Sequence, residues 1–245
     1  MRPVFRGKSP QTEEFTPYTN AQQYLVSRLG HYCSYCERRV ATNLAVEHLQ
    51  PKGDNRYIHL IGSWENFLLA CVNCNSTKGE KDVVFKDLFM PDRDNTFAAF
   101  SYPPDGSVVP SELCNTPQLI KQAQSTLALT GLDKPVSYAT DENGIQVYLD
   151  RVGQRQEVWL MALEARKDLI ENPTVDAVKR GIINTAKGYG FFSIWMSVFS
   201  SDTEMRNRLI DAFSGTRGSG CFDSTTTEIV SPSPNLGTLH EGGKI

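Results

Sequence analysis

Two cysteine pairs, Cys33-x-x-Cys36 and Cys71-x-x-Cys74, constrain this chain more than any other feature. Thiols at that spacing grip one side of a metal ion, and two such pairs supply the four thiolates of a closed tetrahedral Zn²⁺ site that leaves no position for water. Such a site is structural, because it fixes where two distant stretches of backbone meet. The 34 residues between Cys36 and Cys71 exceed the common ribbon spacing, so an insertion has to loop out between the pairs. Cys114 and Cys221 stand alone and read as ordinary thiols.

The remaining composition sets the context for that site. Residues 1–16 carry Arg2, Arg6 and Lys8 with no apolar run behind them, and the longest apolar stretch, 191–199, has nine residues. We therefore expect neither a signal peptide nor a membrane span, and a reducing, cytoplasmic setting in which paired cysteines bind metal instead of forming disulfides. A hydrophobic share of 40% with 22% charged residues is enough to fill a core. The net charge of −3 argues against a surface that is basic throughout, but its distribution is uneven: residues 1–90 hold 11 Lys and Arg against 9 Asp and Glu, whereas residues 91–245 hold 14 against 19. A polyanion would lie on the first part, with cations or a partner adding to the attraction.

Local patterning places the cysteines on elements. Residues 17–29 read as a helix with Thr19 or Asn20 as N-cap, Leu25 and Leu29 four apart, and Gly30 in the position that ends helices. Leu44, Val46 and Leu49 suggest a strand, residues 67–70 a returning one, and residues 72–81 a short helix. Pro-Pro-Asp-Gly at 103–106 marks a turn between two extended pieces, and residues 136–140 and 145–149 flank a second hairpin turn. Helical periodicity dominates elsewhere: Ile120, Ala123 and Leu127 share one face, Trp159 with Ala162 or Leu163 and with Leu169 or Ile170 another, and Val175, Val178 and Ile182 a third. In residues 214–245, 18 of 32 are Gly, Ser, Thr or Pro, which predicts a mobile extension.

The insertion carries the chemistry. It contains Glu47-His48-Leu49-x-Pro51 and Trp64-Glu65-Asn66-Phe67-Leu68, and the second cysteine pair runs on into Asn75-x-x-Lys78-Gly79. These four linked parts, in this order, resemble the HNH, or His-Me finger, nucleases. The resemblance implies an α+β fold: a ββα-metal (HNH) finger with a structural zinc knuckle, followed by a mostly helical region. It also implies roles. His48, whose unperturbed pKa lies near ~6.5, would be the general base that takes a proton from water. Glu47 and Asn75 would be oxygen ligands of a catalytic Mg²⁺ or Mn²⁺. Asn66 would hold the loop that orients the base, and Lys78, three residues after Asn75 on nearly the same helical face, could contact phosphate. The family more often carries Asp where Glu47 stands. Arg38, Arg39, Lys52 and Arg56 are candidates for a phosphate-binding rim, while His31, His59 and His240 read as surface or packing residues.

A narrower resemblance rests on Arg-Gly-Lys-Ser-Pro at 6–10, on Cys33-x-Tyr35-Cys36-Glu37, and on Trp-Glu-Asn-Phe-Leu-Leu-Ala-Cys at 64–71. These features are similar to the HNH nuclease subunit of Septu-type and retron-associated phage-defence systems. That similarity implies an ABC-type ATPase partner and a nucleic-acid target, with DNA favoured. Consistent with outside control, no Gly-x₄-Gly-Lys-Ser/Thr phosphate loop occurs in the chain. The resulting organisation is an N-terminal arm and helix (1–30), a zinc-stabilised HNH core (31–90), a mostly helical region that docks a partner (91–213) and a flexible tail (214–245). The alternatives are a stand-alone restriction or homing HNH enzyme, and a non-catalytic zinc module that only binds nucleic acid or protein.

Overall fold

In the computed structural model of the protein, residues 1–135, 138–140, 142–144, 146–148 and 151–245 are described. Helix α1 (Gln22–Leu29) buries Leu25 and Leu29 and stops at Gly30, whose φ of +76° is a backbone state that side-chain-bearing residues avoid. Neither Thr19 nor Asn20 caps it. The chain instead enters through a 3₁₀ turn, Tyr18–Ala21, set by Pro17, and the first α-helical turn has no side-chain cap.

The chain then forms strand β1 (Ala45–His48), strand β2 (Phe67–Ala70) and helix α2 (Val72–Lys78). The strands pair antiparallel, with Glu47 opposite Leu68 and His48 opposite Phe67. All four residues of β2 are buried, as suits a strand covered on both faces. Helix α2 ends three residues earlier than periodicity suggests, because Gly79 turns the backbone to φ +53°.

After a one-turn helix α3 (Thr96–Ala99), strands β3 (Phe100–Ser101) and β4 (Val109–Pro110) form a short hairpin around the Pro-Pro-Asp-Gly turn. Helix α4 (Pro117–Thr130) is capped by the Thr116 hydroxyl, which accepts from the Leu119 amide, and closes at Gly131. Strands β5 (Tyr138–Thr140) and β6 (Gln146–Tyr148) pair antiparallel; the expected ends of that hairpin at Val136, Ile145 and Leu149 lie outside the described residues. Helices α5 (Arg151–Glu171), α6 (Asp176–Tyr189), α7 (Phe192–Val198) and α8 (Thr203–Ala212) follow. Helix α7 is the centre of this region: Phe192, Ile194, Trp195 and Met196 are wholly buried, and Phe192 packs edge-on against Phe97, Phe213 and Phe222. Among the described residues no helix is long and apolar enough to cross a membrane.

Residues 214–245 are packed, not extended. Asn95 donates to the carbonyls of Cys221 and Val230, both at 2.9 Å, Arg93 donates to the His240 carbonyl at 2.9 Å, and Lys244 pairs with Asp94 at 3.1 Å. Cys221, Phe222 and Ile245 are buried. The composition of a linker conceals a segment whose backbone is satisfied by side chains from 93–95.

Candidate metal centre and active site

Cys33 and Cys36 lie on a tight turn after α1, where the Glu37 amide donates to the Cys33 carbonyl at 3.0 Å and Glu37 takes φ +65°. The Ser34 amide donates to the Leu69 carbonyl at 2.8 Å, which fastens this turn to β2. Cys71 is the residue that opens α2 and Cys74 sits in its first turn. The four Sγ atoms lie within 4.8 Å of one another, all buried, and the Cys36–Cys71 pair is 3.7 Å apart. A tetrahedron with ~2.3 Å zinc–sulfur bonds has edges of about 3.8 Å, so the donor set and its spacing fit one zinc ion. Arg151, the first residue of α5, donates Nη1 to Cys74 Sγ at 2.9 Å, a contact that nothing in the sequence foreshadows.

Beside this cluster, β1 and α2 line a cleft of about 350 Å³ that brings together Glu47, His48, Asn75 and Lys78 with Tyr18, Pro51, Lys52 and Glu80. His48 is 7% exposed. Its Nε2 is 3.0 Å from the Ile61 carbonyl, and because a carbonyl only accepts, Nε2 carries the hydrogen and Nδ1 of the neutral ring holds the lone pair. The rings of Tyr18 and Phe67 meet His48 edge-on, with centroids at 4.6 and 5.2 Å. Burial pushes the His48 pKa below its ordinary value, against the opposing bond to Ile61 and with help from Lys52 and Lys78. The ring is thus held neutral at neutral pH.

Glu47, one residue earlier and so on the other face of β1, is 1% exposed. Its Oε1 pairs with Lys78 Nζ at 3.0 Å and accepts from the Tyr35 hydroxyl at 3.3 Å. Among the described residues Oε2 has no protein partner. Burial raises the Glu47 pKa, while Lys78 and Tyr35 pull it back. Lys78 also donates to the His48 carbonyl at 2.8 Å and is only 2% exposed. Its ammonium is therefore engaged by Glu47 and the β1 backbone while the residue lines the cleft.

Asn66 does not line the cleft. It accepts from the Gln50 amide at 2.8 Å and donates to the Gln50 carbonyl at 3.0 Å and the Leu60 carbonyl at 3.3 Å. These bonds close the insertion next to Ile61, the residue whose carbonyl fixes His48. The basic rim residues separate: Lys52 lines the cleft, with Nζ 2.9 Å from the Tyr18 hydroxyl, whereas Arg56 is engaged by Asp54 at 2.6 Å and Asp82 at 3.1 Å. Tyr18 and Ile61 escaped sequence reasoning. A single aromatic ring near a helix start and a backbone acceptor leave no motif.

Residues 33–81 match the family described as HNH endonuclease, a span that holds both cysteine pairs, both strands and α2. The chain thus carries an HNH-type domain with a four-cysteine cluster, and the family points to nuclease activity on nucleic acid. No curated protein matches the chain.

Proposed function

We propose that this protein is a metal-dependent HNH endonuclease that hydrolyses phosphodiester bonds, DNA being the favoured substrate. In this reading the four cysteines hold structural zinc in a ββα-metal finger. Glu47 and Asn75 hold a catalytic Mg²⁺ or Mn²⁺, for which an oxygen-only donor set and the free Oε2 of Glu47 are suited. Such a cation supplies charge neutralisation at the phosphate. His48 is the base: Nδ1 takes a proton from water, the water oxygen bonds to phosphorus, and the P–O bond to the leaving sugar oxygen breaks, that oxygen being protonated from solvent. Asn66 positions His48 through the insertion, and Lys78 holds Glu47 and the β1 backbone. The single observation that carries this reading is a half-enclosed neutral histidine whose Nε2 is committed to Ile61 while its other nitrogen is left for a substrate.

The defence-complex reading stands beside it as the biological setting: a cytoplasmic effector controlled by an ABC-type ATPase. Leu160, Leu163 and Ile170 on α5 and Val175 beyond it are exposed on the acidic part of the chain, where such a partner can dock.

His48→Ala tests the chemistry. Single-turnover cleavage should fall by about 10²- to 10⁴-fold, with zinc content and nucleic-acid binding unchanged and no rescue by excess Mn²⁺. Wild-type cleavage by this variant would remove the general base and favour a module that only binds.

A further inference from the structure

The four-cysteine cluster has neighbours that a closed zinc site does not need for its geometry. Four thiolates around Zn²⁺ carry a formal charge of −2, and burying that charge is costly unless it is paired. Arg151 Nη1 donates to Cys74 Sγ at 2.9 Å, and a guanidinium has no acceptor, so the sulfur must be the acceptor, the role a thiolate fills best. Arg151 is 8% exposed, and its other bonds go to the Thr130 carbonyl at 3.2 Å and the Gly131 carbonyl, both at the end of α4. Among the described residues no carboxylate pairs with it.

We propose that Arg151 offsets the charge of the zinc-loaded four-cysteine cluster, and that through Arg151 the metal holds the start of α5 and the end of α4 onto the HNH domain. The proposal rests on the zinc reading of the cluster and is independent of the cleavage chemistry. Arg151 is a positioning residue: loaded zinc gives its guanidinium a counter-charge, and loss of the metal leaves that guanidinium, among the described residues, with backbone carbonyls and a thiol as its partners. The zinc then governs a contact between residues 77 positions apart in the chain, so metal loss is felt in the helical region as well as in the cysteine turns.

Cobalt-substituted protein provides a readout that mere packing would not move. A cation on a thiolate lowers the energy of its lone pair, so the sulfur-to-cobalt charge-transfer band should shift to longer wavelength in Arg151→Met and keep most of its position in Arg151→Lys. Zinc release to a chromogenic chelator should accelerate by about 10- to 100-fold in Arg151→Met. Wild-type protein gives a second measurement that needs no variant to fold: on zinc removal, amide exchange should rise at 130–131 and in the first turn of α5 along with 33–36 and 71–74. An unmoved band in a folded variant, or exchange confined to the cysteine turns, overturns the proposal. Absence of any tetrahedral cobalt–thiolate spectrum would instead overturn the zinc reading itself.

Discussion

The HNH domain and the helical region that follows it reach order by different means. In residues 33–81 two four-residue strands and a seven-residue helix are too short to stand alone. They are fixed by polar pins: the thiol cluster, Lys78 on Glu47 and the His48 carbonyl, Asn66 on Gln50 and Leu60. Around α7 the same task is done by aromatic and aliphatic packing, with Trp195, Phe192 and Met196 removed from solvent. Pins are specific and act singly, so losing one frees a whole loop, whereas a packed core yields by degrees. Placing the histidine cleft in the pinned region gives its groups defined directions at small cost in chain length.

That contrast is broken most severely at the metal. Cys71→Ser should lose bound zinc and with it several kcal/mol of stability, since metal binding in such modules is folding free energy. Elemental analysis should show less than half a zinc per chain, and the cysteine turns and β1–β2 should exchange freely. Far-UV dichroism should keep most of its helical signal, because α7 is packed by its own apolar side chains, although α6 and α7 do meet the turn after Cys36, through Tyr189 on Arg39 and Ser193 on Glu37. Equal collapse of both regions would show that the helical region has no packing of its own to rely on.

A smaller effect is expected where a pin serves only orientation. Asn66→Ala removes three bonds and leaves the Gln50 amide without its acceptor, a loss of about 2–4 kcal/mol. Zinc should be retained, while cleavage falls by about 10- to 100-fold as the loop bearing Ile61 releases His48. Unchanged cleavage in a destabilised Asn66→Ala protein would separate the loop from the base and end that assignment.

The sequence reveals the pins better than it reveals what they fasten. Cysteine spacing, Gly30 at a helix end, and the apolar residues around Val46 are local signals, and the structure has a cluster, a helix stop and a strand at those places, whereas Gly79, inside the helix expected to run to 81, is where α2 stops. Contacts made across long separations carry no such signature. Arg151 belongs to no motif, Tyr18 reads as one residue of the expected helix 17–29, and the Ile61 carbonyl as nothing at all. Lys78 shows a different limit: spacing gives the face of a helix but not the partners of a long stem, here Glu47 and the His48 carbonyl. In 214–245 composition describes how a backbone bends and not which side chains, here Asn95 and Arg93, bond it.

The smallest effect concerns protons at His48, and it distinguishes the two regions without a mutation in either core. Burial lowers the folded-state pKa below the unfolded value near ~6.5. Above that unfolded value both states are neutral and His48 contributes no pH dependence. As pH falls through it the unfolded state binds the proton first, so stability declines until the folded-state pKa is passed. The cleavage rate has its own sign: a base must be unprotonated, so the acid limb of single-turnover cleavage should have its midpoint below 6.5, displaced in the same direction as the stability curve. Tyr18→Ala opens one side of the ring to water, which should move that midpoint upward toward the unperturbed value while zinc stays bound. A midpoint at or above 6.5 in the wild type, or one that Tyr18→Ala leaves in place, would mean that enclosure by Tyr18 and Phe67 does not set the protonation state of this histidine.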